Sequence, residues 1–375
     1  MNYYIIAGEA SGDLHASNLI KSIRKLDENA LFRCWGGDLM QAQGGSLVKH
    51  YRELAFMGFA EVLLNIKTIL KNLRFCKEDI VANKPDVLIL VDYPGFNLRI
   101  AEYAKNRGIK VFYYISPQIW AWNEKRAHKI KKIVDKMFVI LPFEENFYKQ
   151  FNYKVEYVGH PLLDAIKDYD HKKLSFNQFT EKHDLSQNKP IIAILPGSRK
   201  QEISRMLHVM LSIAPLYKDY QFVIAGAPAI DKSFYYTYTQ SSQVKIVCNC
   251  TYELLQQSTA ALVTSGTATL ETALFEVPQV VCYSGGALSY NIAKRHIKVP
   301  YISLVNLIMN EEVVRELIQN HFKPESLKKE LDKLLFDIEY RKGLFDKYKK
   351  LKSMLGETGA SERAARLMVN NLHPL

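Results

Sequence analysis

Ala260-Ala261-Leu262-Val263-Thr264-Ser265-Gly266-Thr267-Ala268-Thr269-Leu270-Glu271-Thr272-Ala273 is an apolar run, a hydroxyl-rich turn with one glycine, and then a helical pattern. The first four residues predict a buried strand. The helix runs to about Phe275 and is stopped by Pro278. A strand, such a turn and a helix start make a phosphate-binding arrangement, because the free backbone N–H groups and the helix dipole both favour an anion. Glu271, one turn inside, is placed to accept hydrogen bonds from a ribose diol. The same letters also suit an ordinary capped helix, since Ser and Thr are preferred N-caps. Other segments must decide between the two.

Strand-like and helix-like runs alternate outward from this stretch, which predicts an α/β chain with parallel sheets and crossover helices. In the first half the strands are Tyr3–Ala7, Leu31–Cys34, Val87–Val91, Lys110–Ile115 and Met137–Leu141. In the second half they are Ile191–Leu195, Gln221–Ala225, Lys245–Val247, Ala260–Val263 and Gln279–Cys282. Several are continuous Val/Ile/Leu runs, as strands covered on both faces require. Leu19, Ile20, Ile23 and Leu26 share one face of a helix between them. A polar stretch from Gly159-His160-Pro161 to Asn188-Lys189-Pro190, with Asp168, Asp170, His171, Lys172 and Lys173, marks a break. The expected domains are therefore 1–160 and 175–350. Residues 351–375 are expected as a helical tail packing back across the junction.

At 375 residues the chain is long for a single core. Its 48% apolar and 24% charged residues are ordinary globular composition. Cys34, Cys76, Cys248, Cys250 and Cys282 are odd in number and form no C-x-x-C pair, so reduced thiols and a cytoplasmic location are expected. Residues 1–7 lack a basic segment and lead into a glycine loop, which makes them a first strand rather than a signal peptide. The net charge of +11 implies anionic partners: nucleic acid, acidic lipid headgroups or phosphorylated substrates. Lys125, Arg126, Lys129, Lys131, Lys132 and Lys136 form one basic concentration, and Lys67, Lys71, Arg74 and Lys77 another. Each also suits a solvated helix face.

Four further segments carry chemistry. Ala7-Gly8-Glu9-Ala10-Ser11-Gly12-Asp13-Leu14-His15 leaves the first strand, and crowds Glu9, Ser11, Asp13 and His15 at the sheet edge where ligands bind. A tight strand-to-helix turn alone would explain its glycines. Asp92 ends the strand Val87–Val91 at the same edge, where partial burial suits a general base, although a turn Asp before Pro94 accounts for it equally. Ser116-Pro117-Gln118-Ile119-Trp120-Ala121-Trp122 is either a packed loop or a platform for a sugar or lipid. Leu195-Pro196-Gly197-Ser198-Arg199 ends the first strand of the second domain, and Arg199 there offers a forked donor to a diphosphate. The apolar segment 57–70 is either a core helix or a patch for membrane contact. No H-E-x-x-H or G-x-S-x-G spacing is present, so neither a metal nor a nucleophilic serine is expected.

Taken together, these segments resemble the lipid-A-disaccharide synthase family of glycosyltransferases. The resemblance rests on Gly8–Asp13, Met57-Gly58-Phe59-Ala60-Glu61-Val62, Lys84-Pro85-Asp86-Val87, Ser116–Trp122, Leu141-Pro142-Phe143-Glu144, Gly159-His160-Pro161, Leu195–Arg199, Ser265–Glu271 and Ser303-Leu304-Val305-Asn306-Leu307. They span almost the whole chain in order. The resemblance implies a GT-B fold, two Rossmann-like domains facing a cleft. It implies UDP-2,3-diacylglucosamine as donor and 2,3-diacylglucosamine 1-phosphate as acceptor, joined with inversion and without metal or organic cofactor. Arg199, Ser265, Gly266, Thr267, Thr269, Glu271 and Asn306 would bind the donor, with Glu271 on the ribose. Asp92 or Glu9 would be the base. Ser11, Asp13, His15, Trp120 and Trp122 would line the acceptor side or the cleft. Expected partners are the inner-membrane surface and a second copy of the chain, with no nucleic acid. Two positions depart from the family: Gly95 stands where many members have a second Asp, and Ser284 where some have a basic residue. Arg199, with Lys294 or Arg295, would then meet the diphosphate.

Three rivals remain at this stage. A UDP-sugar 2-epimerase shares the architecture but leaves the paired Trp and the 57–70 segment unexplained. A peptidoglycan-precursor transferase has different glycine loops. An RNA-binding protein would use the charge, yet no basic module interleaved with aromatics is visible.

Overall fold

The computed structural model describes residues 1–54, 65–170, 174–239, 244–286 and 297–372. Lys294 and Arg295, most of the apolar 57–70 segment, and His171, Lys172 and Lys173 lie outside the described residues. The chain divides into two compact units, Met1–Ala165 with Leu355–Leu375, and Ile166–Met354.

In the first unit the strands are β1 (Asn2–Ala7), β2 (Leu31–Gly36), β3 (Ser46–His50), β4 (Val87–Val91), β5 (Lys110–Tyr114), β6 (Lys136–Val139) and β7 (Glu156–Tyr157). They form one parallel sheet in the order β3-β2-β1-β4-β5-β6-β7. Every side chain of β4 is buried, as helices on both faces demand, and each such Val, Leu or Ile contributes about 1.5–3 kcal/mol. The strand order reverses between β1 and β4, and Ala7 pairs with Val91, so the loops leaving these strands start side by side. Such a reversal is where open α/β sheets hold ligands.

The last helix, Ala360–Leu372, belongs to this unit and packs on the helix Ala10–Arg24. Asp164 accepts hydrogen bonds from the backbone N–H groups of Gly359 and Ser361 and so caps it. Arg363 returns a bond to the carbonyl of Val158 at 2.9 Å. The tail starts later than its expected bound of 351, because the preceding helix, Ile338–Leu355, runs through that position unbroken.

The second unit repeats the plan with β8 (Ile191–Leu195), β9 (Gln221–Gly226), β10 (Lys245–Cys248), β11 (Ser258–Thr264), β12 (Gln279–Tyr283) and β13 (Arg315–Ile318). The order is β10-β9-β8-β11-β12-β13, again parallel throughout. Its switch point lies between β8 and β11, where Leu195 pairs with Val263. Both units are Rossmann-like. Among the described residues no helix is long and apolar enough to cross a membrane.

Candidate active site

At the first switch point the backbone is forced into an unusual shape. Asp92 and Tyr93 have φ of 45° and 49°, and Ile115, at the end of the neighbouring β5, has φ of 65°. Left-handed geometry is uncommon for non-glycine residues and costly for a β-branched one, and three such residues meet at this edge. The clamp is visible. The Asp92 carbonyl accepts from the Tyr113 hydroxyl and from the Asn97 side-chain amide, the latter at 2.7 Å, and both donors are buried. The Tyr93 ring lies over Gly8, where an added Cβ would meet ring carbons at 2.3 Å, and the Tyr93 hydroxyl donates to the Leu54 carbonyl at 2.9 Å. Glu9 stands at the N-cap of the helix Ala10–Arg24 without using its side chain as a cap. Asp92, Glu9 and Ser11 are each partly exposed at this edge.

Other residues expected here have structural work instead. The Asp13 carboxylate is buried and accepts from the backbone N–H groups of Gly37, Leu39 and Met40 at 2.8–3.1 Å. It holds the start of the helix Asp38–Ala42. His15 is buried on the inner side of its helix, where burial pushes its pKa down to about 4 against the opposing pull of Asp164. His160 lies near it and is held lower, to about 3, by burial and then by His15. Trp120 is only 6% exposed, meets Phe143 edge-on at 4.9 Å and donates its indole N–H to Glu144 at 3.3 Å. Trp122 alone of the pair reaches the surface, 42% exposed, with the Arg126 guanidinium 4.3 Å from its ring centre. The platform reading therefore survives for Trp122 and fails for Trp120, which anchors the loop.

Glu144, named above only within the Leu141–Glu144 segment, was given no role by sequence reasoning. It is buried beneath the Trp loop and accepts from the N–H groups of Ile140 and Leu141 as well as Trp120. Burial pushes its carboxyl up to about 7, with these donors pulling the other way. A carboxylate in the otherwise apolar Leu-Pro-Phe-Glu segment was the available signal.

In the second unit Gly197 and Gly266, with φ of 115° and 136°, end β8 and β11 in shapes that other residues resist. Among the described residues, no atom beyond its own chain neighbours lies within 4 Å of a Cβ placed at Gly266, which leaves the start of the helix Thr267–Leu274 uncovered by them. The Thr269 N–H bonds back to the Gly266 carbonyl at 3.1 Å, and the N–H groups ahead of it belong to the first turn of a helix, which suits a phosphate. Thr267 is partly exposed beside it. Arg199 is about one-third exposed and its guanidinium donates to Glu202 at 2.7 Å, which fixes the fork at the edge. The Ser265 hydroxyl donates to the Ile302 carbonyl and the Thr269 hydroxyl to the Gly266 carbonyl, so these two shape the turn. Glu271 accepts from the Tyr252 hydroxyl at 2.9 Å, and burial raises its pKa.

Asn306 departs furthest from its expected role of touching the donor. It is fully buried, its Oδ1 accepts from the N–H groups of Val313 and Val314, and its amide donates to the Val314 carbonyl and to Glu316. Glu316 also accepts from the N–H groups of Ile302 and Ser303. With every polar atom engaged, Asn306 acts by holding the 302–303 segment against Ser265.

A family model described as lipid-A-disaccharide synthetase matches residues 3–368. The chain belongs to the lipid-A-disaccharide synthase family. The lipid-A-disaccharide synthase of Syntrophus aciditrophicus is 39% identical, with 96% of this chain and 95% of that protein covered. Those of Myxococcus xanthus and Coxiella burnetii (strain Dugway 5J108-111) are 38% and 36% identical, covering 99% and 98% of this chain and 97% of each relative. Among solved structures, UDP-GlcNAc 2-epimerase from Neisseria meningitidis bound to UDP-GlcNAc matches with a TM-score of 0.70 at 14% identity, covering 99% and 100% of the two chains. The glycotransferase of kitacinnamycin matches with a TM-score of 0.61 at 12% identity, over 98% of each chain. Those two likenesses establish the GT-B fold and nothing of the reaction. Lipid-A-disaccharide synthases are glycosyltransferases, so this chain is an enzyme of lipid A disaccharide formation acting on lipid-linked sugars.

Proposed function

We propose that the chain transfers the 2,3-diacylglucosaminyl group of UDP-2,3-diacylglucosamine to the 6-hydroxyl of 2,3-diacylglucosamine 1-phosphate, with inversion at the anomeric carbon. The acceptor oxygen attacks that carbon as its bond to the UDP oxygen breaks, and the hydroxyl proton passes to a carboxylate. The products are the β-1′,6-linked disaccharide 1-phosphate and UDP. The observation that carries this reading is the strained Asp92–Tyr93 pair at the first switch point, clamped by Tyr113 and Asn97. A backbone held this way presents Asp92 as the base with little freedom to relax. Glu9 shares the edge and is the alternative.

Departing UDP needs positive charge, which Arg199 and the open helix start at Gly266–Thr267 provide. Glu271 takes the ribose. The acylated, anionic substrates favour a site of action at the inner membrane surface. In support, Ile66, Leu70 and Phe75 are exposed on the helix Ile66–Asn83, which also carries Lys67, Lys71, Arg74 and Lys77. Apolar side chains among cations suit an anionic leaflet.

The donor assignment is tested by calorimetric titration of UDP. Arg199→Ala and Glu271→Ala are each expected to weaken UDP binding about 10- to 100-fold, as loss of a charged hydrogen bond implies, with the fold intact by circular dichroism. Wild-type UDP affinity in both variants would refute the donor site.

A further inference from the structure

We infer that Tyr252 reads the ribose together with Glu271, as a second specificity-determining residue of the donor site. This rests on Glu271 being the ribose acid. Tyr252 lies on the short helix Thr251–Gln256, which follows β10, and its hydroxyl donates to Glu271 Oε1 at 2.9 Å. The ring is fixed on two sides, edge-on to Tyr169 at 5.3 Å and tilted against Phe275 at 5.1 Å. Phe275 closes the helix that carries Glu271, so a rigid frame sets the phenol against the carboxylate.

The chemistry follows from the donor count. A carboxylate end group turns freely about its last bond unless something holds it. Among the described residues, the Tyr252 hydroxyl is the one hydrogen-bond donor to Glu271. Among the described residues no cation pairs with this carboxylate, and Tyr252 keeps its proton because burial and the Glu271 charge hold its pKa well above the ordinary value. With that proton committed to Oε1, two acceptors remain side by side: Glu271 Oε2 and the phenolic oxygen. Two neighbouring acceptors match the two vicinal hydroxyls of a ribose and match a deoxyribose poorly. An arginine at position 252 would neutralise the acid. A phenol orients it and adds a second acceptor.

The test compares UDP with 2′-deoxy-UDP and 3′-deoxy-UDP in wild type, Tyr252→Phe and Glu271→Gln, with UDP against CDP as a control for the base. Wild type is expected to prefer UDP over at least one deoxy analogue by about 5- to 20-fold, the worth of one hydrogen bond. Tyr252→Phe, which removes a single oxygen, is expected to bring that preference below about twofold while leaving the UDP-to-CDP ratio unchanged. A purely structural role would lower all affinities together and keep the ribose ratio. Tyr252→Leu serves as a second variant with the same expectation. Retained ribose preference in both Tyr252 variants, with its loss in Glu271→Gln, would overturn the role of Tyr252 alone. Retained preference in all three would overturn the ribose assignment of Glu271 as well.

Discussion

Gly8 and Tyr93 show how tightly the first switch point is built at the level of single residues. The ring is pinned by its hydroxyl at Leu54 and stacked on Phe96 at 5.7 Å, so it cannot retreat from a new methyl group at residue 8. Gly8→Ala is expected to cost about 1–3 kcal/mol, the usual penalty of overpacking, and to lower turnover by shifting the Asp92–Tyr93 backbone. UDP affinity is expected to stay unchanged, because the residues proposed to bind the donor belong to the other unit. Thermal denaturation, steady-state rates and UDP titration check this; full turnover in the variant would show that the close approach does not matter. At this scale the sequence was a partial guide. The polar letters after β1 fall at the switch point of the first sheet, but letters do not say which way a side chain points. Asp13 turned to three backbone N–H groups, and Asn306 to a saturated network. Their partners lie in segments whose approach only the tertiary fold determines.

Among the elements, the buried strands were legible, whereas of the edge strands only β10 was, and β3, β7 and β13 were missed. β1, β4, β8 and β11 are continuous apolar runs because both faces are covered. β3, β7 and β13 carry Lys49, His50, Glu156, Arg315 and Glu316, and so lack the pattern of a covered strand. The packing between the first helix, the start of the helix Pro161–Asp170 and the last helix also stores a pH response. His15 and His160 are held neutral by burial, with pKa values lowered from 6.5 to about 4 and about 3. In the window from pH 6.5 down to about 4 the unfolded chain takes up protons that the folded unit refuses, so stability is full above 6.5 and falls on acidification. Each histidine contributes about 1.4 kcal/mol per pH unit there. Glu144, raised from 4.5 to about 7, works in the opposite sense, since its contribution is present below 4.5 and is lost as pH rises through 7. Two groups against one leave a net loss in acid. Urea midpoints at pH 7 and pH 5 are expected to drop less for His160→Gln than for wild type; an equal drop would show that His160 is not held neutral.

For the whole molecule, two Rossmann-like units were readable from the alternation of elements and from the polar stretch between them. A helical tail packing back was expected, but the contacts that hold it to the first unit were not legible. Asp164 and Gly359 are far apart in sequence, and nothing local in either predicts that one caps the other's helix. The proposed division of labour uses the two switch points: Asp92, on a left-handed backbone, at the edge of the first sheet, and the helix start at Gly266 with Arg199 at the edge of the second. The central claim is that this pairing makes the lipid A disaccharide. It is tested most directly in detergent micelles with UDP-2,3-diacylglucosamine and radiolabelled 2,3-diacylglucosamine 1-phosphate, in EDTA, with wild type beside Asp92→Asn. The account predicts a labelled disaccharide 1-phosphate from wild type, and turnover lower by about 10²- to 10⁴-fold in the variant, the usual worth of a general base, with UDP affinity retained. No disaccharide from wild type, or wild-type turnover from Asp92→Asn, would contradict it.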